Sequence, residues 1–281
     1  MLRIAIPNKG QLAEPAKEML REAGYLQSGS GDKLVIHDPV NDAEFFFLRP
    51  KDVAVYVGSG KLDLGITGRD MLSDSGADAD EILELGFGAS TFRLAAPIGS
   101  ASSIADVAGK RIACSYPKLL QTWLDENRIS AKIVKLDGAV ENAVALGVAD
   151  WVADVVATGT TLRQAGLEII GQPLFKSEAI VVRRKGADVD AVVETFVRRL
   201  QGVMVARAYV LVDYDIKRES LKQACELTPG IESPTVSDLA DPQWAAVRAM
   251  VLRADVHTIM DSLYDIGARG ILVTDIHACR L

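Results

Sequence analysis

The chain has 281 residues, 49% of them hydrophobic, which is enough for two or three domains with sizeable cores. A net charge of −7 argues against general affinity for nucleic acid, so any phosphate site must be a local basic pocket. No apolar run approaches membrane-spanning length, and the start, Met1-Leu-Arg-Ile-Ala-Ile-Pro7, meets a turn too soon to be a signal peptide. Three widely spaced cysteines, Cys114, Cys225 and Cys279, read as reduced thiols of a cytoplasmic protein, neither a disulfide framework nor a zinc site.

In chain order, a strand at Arg3-Ile-Ala-Ile6 runs into the turn Pro7-Asn-Lys-Gly10 and a helix from Glu14 to Ala23. Val53 to Met71 reads as helix, Gly60-x-x-Asp63, strand, Gly68, helix. Thr91 to Pro97 reads as a strand leaving the first lobe. Arg111-Ile-Ala-Cys114 then repeats the opening, with the turn Ser115-Tyr-Pro-Lys118 and a helix from Leu119 to Asn127. Glu141 to Ala165 reads as helix, Gly147-x-x-Asp150, strand, Thr158-Gly159, helix. The matched order in both halves predicts two α/β lobes with parallel sheets, and ligands of such sheets bind beyond the carboxyl ends of the strands. All four turns are therefore expected in one interlobe cleft.

A second strand, Ser177 to Arg183, is expected to return the chain, followed by a long helix from Arg184 to Ala208 back to the first lobe. Two crossing strands make a hinge. The predicted division is residues 1–92 with 184–208 for the first lobe, 93–183 for the second and 209–281 for a third domain. That last stretch reads strand (Tyr209 to Asp213), helix (Ile216 to Glu226), strands (Thr235 to Leu239 and Ala245 to Leu252), helix (Val256 to Ile266) and strand (Ile271 to Ile276). The order β-α-β-β-α-β is the split-βαβ, ferredoxin-like plan.

The most informative stretch is Asp154-Val-Val-Ala-Thr-Gly-Thr-Thr-Leu162. A strand that ends on Thr158-Gly159-Thr160-Thr161 offers backbone N–H groups and hydroxyls to a phosphate, with a helix behind. Asp154 would accept hydrogen bonds from the sugar hydroxyls beside it. An ordinary strand–turn–helix with threonine caps fits the stretch equally well. The order nevertheless resembles the 5-phosphoribosyl-1-pyrophosphate (PRPP) loop of phosphoribosyltransferases, although Ala153 stands where a first acid is usual. Neither a Walker A nor a Gly-x-Gly-x-x-Gly fingerprint occurs.

The ordered set of motifs is similar to one family along the whole chain. Arg3-Ile-Ala-Ile-Pro-Asn-Lys-Gly10, Phe47-Leu-Arg-Pro-Lys-Asp52, Gly58 to Asp70, Arg111 to Pro117, Leu136-Asp-Gly-Ala-Val-Glu141, the loop and the C-terminal plan together resemble long-form ATP phosphoribosyltransferase, the first enzyme of histidine biosynthesis. The resemblance implies a periplasmic-binding-protein-like pair of lobes and a ferredoxin-like regulatory domain. It implies transfer of the phosphoribosyl group of PRPP to N1 of ATP with release of pyrophosphate. Adenine N1 is already nucleophilic, so the reaction needs positioning and charge stabilisation, not a Ser, Cys or His nucleophile. His37, His257 and His277 read as structural or surface residues.

Asp154, Lys9 and Arg49 are the catalytic candidates, Lys9 and Arg49 as polyphosphate contacts; surface charge is the plainer alternative for both. Asp154, Val155, Val156, Ala157, Thr158, Gly159, Thr160, Thr161 and Leu162 are expected to hold PRPP. Lys9, Arg49, Tyr116 and Glu141 are expected at ATP, Tyr116 by stacking unless it is packing, and Glu141 unless it only faces a helix dipole. Magnesium is expected to ride on the PRPP pyrophosphate without a protein cage of its own. Histidine is implied as an allosteric inhibitor at Asp215, Ile231, Ser233, Thr235 and Gly270, the last an alanine in the family pattern. The family also implies AMP-type nucleotides as competitors, and dimers that assemble into hexamers. A two-lobed protein that only binds a small anion is the alternative left open by the residues.

Overall fold

The computed structural model describes residues 1–27, 34–101, 103–188 and 190–280. It divides into two compact units, Met1–Arg21 with Tyr25–Val193, and Glu22–Gly24 with Glu194–Leu281.

In the first unit, lobe I contains β1 (Leu2–Pro7), α1 (Ala13–Glu22), β2 (Val35–Asp38), β3 (Ala43–Leu48), α2 (Pro50–Gly58), β4 (Leu64–Gly68), α3 (Arg69–Ser75) and β5 (Ala79–Glu84). Lobe II contains β6 (Ser90–Pro97), β7 (Arg111–Cys114), α4 (Pro117–Glu126), β8 (Lys132–Lys135), α5 (Asn142–Ala145), β9 (Trp151–Val156), α6 (Thr160–Gln164) and β10 (Leu167–Ser177). The chain goes on through β11 (Ala179–Arg184) and α7 (Ala191–Ala208). Strands β1 and β4 are buried almost throughout, as strands covered on both faces must be. Helix α1 buries Ala13, Ala16, Met19 and Leu20, a single helical stripe.

The repeat is real down to hydrogen bonds. Lobe I has three parallel strands in the order β3-β1-β4, and lobe II has β8-β7-β9. At the start of β1 the Arg3 amide donates to Asp63 Oδ2 at 2.7 Å, and the Asp63 amide returns to the Arg3 carbonyl at 2.9 Å. At the start of β7 the Arg111 amide donates to Asp150 Oδ2 at 2.9 Å, and the Asp150 amide returns to Arg111 at 2.8 Å. The two Gly-x-x-Asp echoes thus do one job: each aspartate ties the turn before a strand to the start of the central parallel strand, β1 or β7.

Neither sheet is purely parallel, contrary to the expectation from alternating strands and helices. The full orders are β2-β3-β1-β4-β11-β5 and β10-β6-β9-β7-β8, and β11 and β6 run antiparallel to β4 and β9. Each lobe is completed by a strand that has just crossed over. The return falls at Glu178, so β11 belongs to lobe I and the predicted lobe II boundary at 183 is too late. Its register against Leu64 to Gly68 buries Ile180, Val181 and Val182 completely, which fixes the assignment. Helix α7 starts at Ala191 instead of Arg184, and from Glu194 its residues group with the second unit instead of lobe I. The short strands β2 and β8 have four residues each, too few to show a period.

The second unit adds β12 (Tyr209–Lys217), α8 (Leu221–Leu227), β13 (Thr235–Asp238), β14 (Trp244–Leu252), α9 (Val256–Asp265) and β15 (Arg269–Asp275). The all-antiparallel order β13-β14-β12-β15 is the ferredoxin-like arrangement. Strand β12 runs through Ile216, where a helix was expected. Its buried residues Val210, Val212, Tyr214 and Ile216 keep a period of two, packed with Ala224, Val256 and Leu263 beneath α8 and α9. Across the described residues no helix is long and apolar enough to cross a membrane.

Candidate active site

Strand β9 carries Asp154 to the carboxyl end of the lobe II sheet. Gly159, which precedes α6, has φ +73°, a left-handed conformation that favours glycine, and a Cβ there would stand 3.1 Å from Ile169 Cδ1. The Thr158 and Thr160 hydroxyls lie 3.1 Å apart and are exposed, as are Ala157 and Thr161. Val156 and Leu162 are different. Their side chains belong to the lobe II core with Ala95, Ala113 and Val152, so only their backbone is open to a ligand. Helix α6 has five residues, so what this turn offers an anion is its amides and hydroxyls more than a helix dipole.

Asp154 lies where lobe II meets lobe I. Its Oδ1 accepts the Val155 amide at 2.8 Å. Burial pushes its carboxyl up to about 6, with Glu141 adding to the rise, while the Val155 amide, Lys51 and the Ser115 hydroxyl pull the other way. It lines a cavity of about 260 Å³ together with Val155, Tyr116 and Ser115 of lobe II and Lys9 and Asp70 of lobe I. Three of the four strand-end turns therefore reach the cavity directly. The fourth, Thr158-Gly159, lies just past it, represented by Asp154 and Val155.

Arg49 and Glu141 are not in that lining. Arg49 is exposed and precedes α2, whose first residue Pro50 does line the cavity. Glu141 precedes α5 without capping it through its side chain, near enough to Asp154 to raise its carboxyl. Tyr116 is packed as well as poised. It is 8% exposed, edge-on to Phe92 at 6.0 Å, and the Lys51 ammonium sits over its ring at 4.4 Å. An adenine stacked on that face would displace Lys51. Burial, followed by the Asp70 carboxylate that meets its hydroxyl, holds the Tyr116 phenol well above its ordinary range. Burial likewise pushes the neighbouring Cys114 thiol up to about 12, which leaves it unreactive.

Sequence reasoning missed Lys51, Asp70, Ser115 and Ser177. Lys51 Nζ crosses from lobe I to the Ser115 carbonyl at 2.6 Å. Asp70, 3% exposed, accepts the Ser177 hydroxyl at 2.7 Å, and that same oxygen accepts the Asp70 amide at 3.0 Å. The signal for Asp70 was present: the repeat sets the Gly68 turn against the Thr158-Gly159 turn, so Arg69 and Asp70, opposite Thr160 and Thr161, were candidates. Nothing local points to Ser177. Among the described residues, no group of three or more His, Cys, Asp or Glu side chains is arranged to hold a metal.

In the second unit, Asp215 on β12 faces Gly270, whose Cβ would stand 3.7 Å from Asp215 Oδ2. Ile231, Ser233 and Thr235 lie at or before β13, the outer strand on the opposite side of β14, and all three are exposed. Within this unit the five residues form two groups. Gly270 and Asp215 stand together near β15, the others near β13.

Comparison with known proteins follows the same division. Residues 49–202 match the family model described as ATP phosphoribosyltransferase, and residues 206–278 match that family's C-terminal domain. The chain is 58% identical to the ATP phosphoribosyltransferases of Arthrobacter sp. (strain FB24) and Streptomyces coelicolor, each alignment covering all of both chains. Among solved structures it resembles the ATP phosphoribosyl transferase (HisG:HisZ) complex from Thermotoga maritima, with a TM-score of 0.64 and 29% identity. That match covers 73% of this chain and 98% of the other.

Proposed function

Because this chain belongs to the ATP phosphoribosyltransferase family, we propose that the cleft around Asp154 is where its phosphoribosyl group passes from PRPP to N1 of ATP. The protein is thus a pentosyltransferase, and the reading of a mere anion-binding protein is set aside. The carrying observation is Asp154 itself, a carboxylate beside the turn and in the wall of the interlobe cavity, with its charge made costly by burial.

In this reading the Thr158–Thr161 turn holds the 5-phosphate through amides and hydroxyls, with Gly159 supplying the left-handed conformation that shapes the turn. Asp154 accepts the ribose hydroxyls. As N1 attacks C1 and the C1–oxygen bond to pyrophosphate breaks, positive charge grows on the sugar. A buried carboxylate that lacks a full counter-ion in the free protein gains one at that moment, so the interaction is stronger in the transition state than before it. Lys9, exposed at the rim of lobe I, meets the polyphosphates, and Arg49 does so from beyond the cavity wall. Magnesium enters as part of the substrate on the PRPP pyrophosphate. Asp154, in the cavity wall, has carboxylate oxygens of the kind a hard cation takes. The test is pyrophosphate release from purified protein mixed with ATP, PRPP and Mg²⁺; no release would sink the reading.

Histidine, the end product of the pathway, is proposed to act on the second unit through Asp215, Gly270, Ile231, Ser233 and Thr235, with AMP-type nucleotides competing at the ATP side of the cleft. The support is a separate ferredoxin-like unit that holds none of the cleft residues. Coupling of about 1–3 kcal/mol would suffice. Thr235→Ala should leave turnover within twofold while weakening histidine inhibition at least tenfold, read from inhibition curves; unchanged inhibition would move the regulatory site elsewhere. The protein is proposed to work in the cytoplasm as a homo-oligomer, a dimer and then a hexamer. Its three free cysteines suit a reducing compartment, and sedimentation with and without histidine tests the assembly.

A further inference from the structure

Helix α4 begins without a cap of its own. Tyr116 precedes it and places no side chain on the free amides. Pro117, at the first position, has no N–H, and the Leu120 amide returns to the Tyr116 carbonyl at 3.0 Å. The amides of Lys118 and Leu119 remain, and both donate to Asp74 Oδ1, at 2.9 and 3.2 Å. Asp74 is on α3, in the other lobe. In return Lys118 Nζ donates to the Ser75 carbonyl at 2.8 Å, at the end of α3. Each lobe finishes a helix end of the other, acid at an N-terminus and cation at a C-terminus, both in the sense that the helix dipoles favour.

The residue that precedes α4 is Tyr116. Its ring lies beneath Lys51 and its hydroxyl meets Asp70, both from lobe I. We propose that Asp74 is a positioning residue for ATP: by capping α4 from across the cleft, it sets the Tyr116 turn against Asp70 and Lys51, so the ATP-side wall is complete only when the lobes are engaged. Asp74 lies outside the cavity lining. The Thr158–Thr161 turn belongs to lobe II and makes no contact with Asp74, and Asp154 is held on its own strand by the Val155 amide. This rests on the reading of the cleft as the ATP and PRPP site.

The experiment measures ATP binding and PRPP binding separately by calorimetry on the full chain with Mg²⁺, and KM for ATP by pyrophosphate release. Asp74→Ala should weaken ATP binding and raise its KM roughly tenfold, the scale of a lost cap, and leave PRPP binding within twofold. Asp74→Asn keeps an acceptor oxygen on the two amides and should stay within threefold of the unaltered chain. Should the alanine variant fail to fold, Asp74→Ser, whose hydroxyl is too short to span the lobes, carries the same expectation. Unchanged ATP binding in Asp74→Ala, an equal loss for both substrates, or no rescue by asparagine would overturn the proposal. No pyrophosphate from the unaltered chain would instead sink the functional reading, and ATP binding would still decide the role of Asp74. No ATP binding by the unaltered chain would overturn both.

Discussion

The turns after β4 and after β9 occupy equivalent places in the two halves of the repeat, yet their side chains have opposite fates. After β4, Arg69 donates to Glu81 and Glu84 at 2.8 and 2.6 Å, Asp70 is closed on Ser177, and Asp74 caps α4. Every charge there is spent on protein. After β9, Thr158 and Thr160 touch each other and face solvent, and Arg163 bonds back to the Thr158 carbonyl at 3.3 Å. In one half of the repeat the turn is a strap between lobes, and in the other it is open to solvent. The difference teaches that equivalence in a repeat predicts where a residue sits and not what it binds.

The largest test of the contrast is Gly159→Val. The side chain would have to adopt φ +73° and press on Ile169 and Val156, which would distort the turn proposed to hold phosphate. PRPP affinity should fall at least a hundredfold, since each charge-assisted hydrogen bond lost is worth about 1.5–3 kcal/mol. A folded variant that binds PRPP normally by calorimetry would show that the turn is not the cup.

Asp154→Asn comes next. Turnover should fall ten- to a hundredfold more than PRPP affinity does, as expected of an interaction that strengthens in the transition state. The unaltered enzyme should also lose kcat/KM below about pH 6, as the raised Asp154 carboxyl takes up its proton. Equal losses in affinity and turnover would reduce Asp154 to a binding residue.

The strap is tested by Gly68→Ala. Gly68 has φ −86°, which alanine tolerates, but a Cβ there would collide with the Asp70 carboxylate. Where Gly159 answers to its own backbone, Gly68 answers to its neighbour. Displacing buried Asp70 from Ser177 should cost about 1–3 kcal/mol of stability in denaturant unfolding, with PRPP affinity unchanged. An unaltered midpoint would mean that the strap bears no strain.

The last effect concerns the pH dependence of stability alone. The folded Asp154 carboxyl titrates at about 6, above the unfolded value of 3.8, so the folded state holds the proton more tightly. Its contribution is favourable below pH 3.8 and is lost as pH rises through 6, by at most about 3 kcal/mol. Asp154→Asn should therefore melt a few degrees higher than the unaltered chain at pH 7 and show no such gain at pH 4. A variant that melts lower at pH 7 would place Asp154 in a structural network.

Local pattern decided a good deal. The echoes Arg3-Ile-Ala-Ile and Arg111-Ile-Ala-Cys, the paired Gly-x-x-Asp turns and the Thr-Gly-Thr-Thr stretch are contiguous residues whose spacing already carries their geometry. The same holds for the split-βαβ order after Tyr209, where periods of 2 and 3.6 succeed one another. These were enough to give two lobes, a third domain, the cleft, and Lys9, Tyr116 and Asp154 in its wall. What only the tertiary structure decided are contacts between groups far apart in the chain. Ser177 closes on Asp70 across 107 positions, and Asp74 caps α4 across 44. The exchange of β6 and β11 between sheets is of the same kind, since a buried strand reads alike whichever sheet takes it. So is the rise of the Asp154 carboxyl to about 6, because it comes from the water that both lobes together exclude.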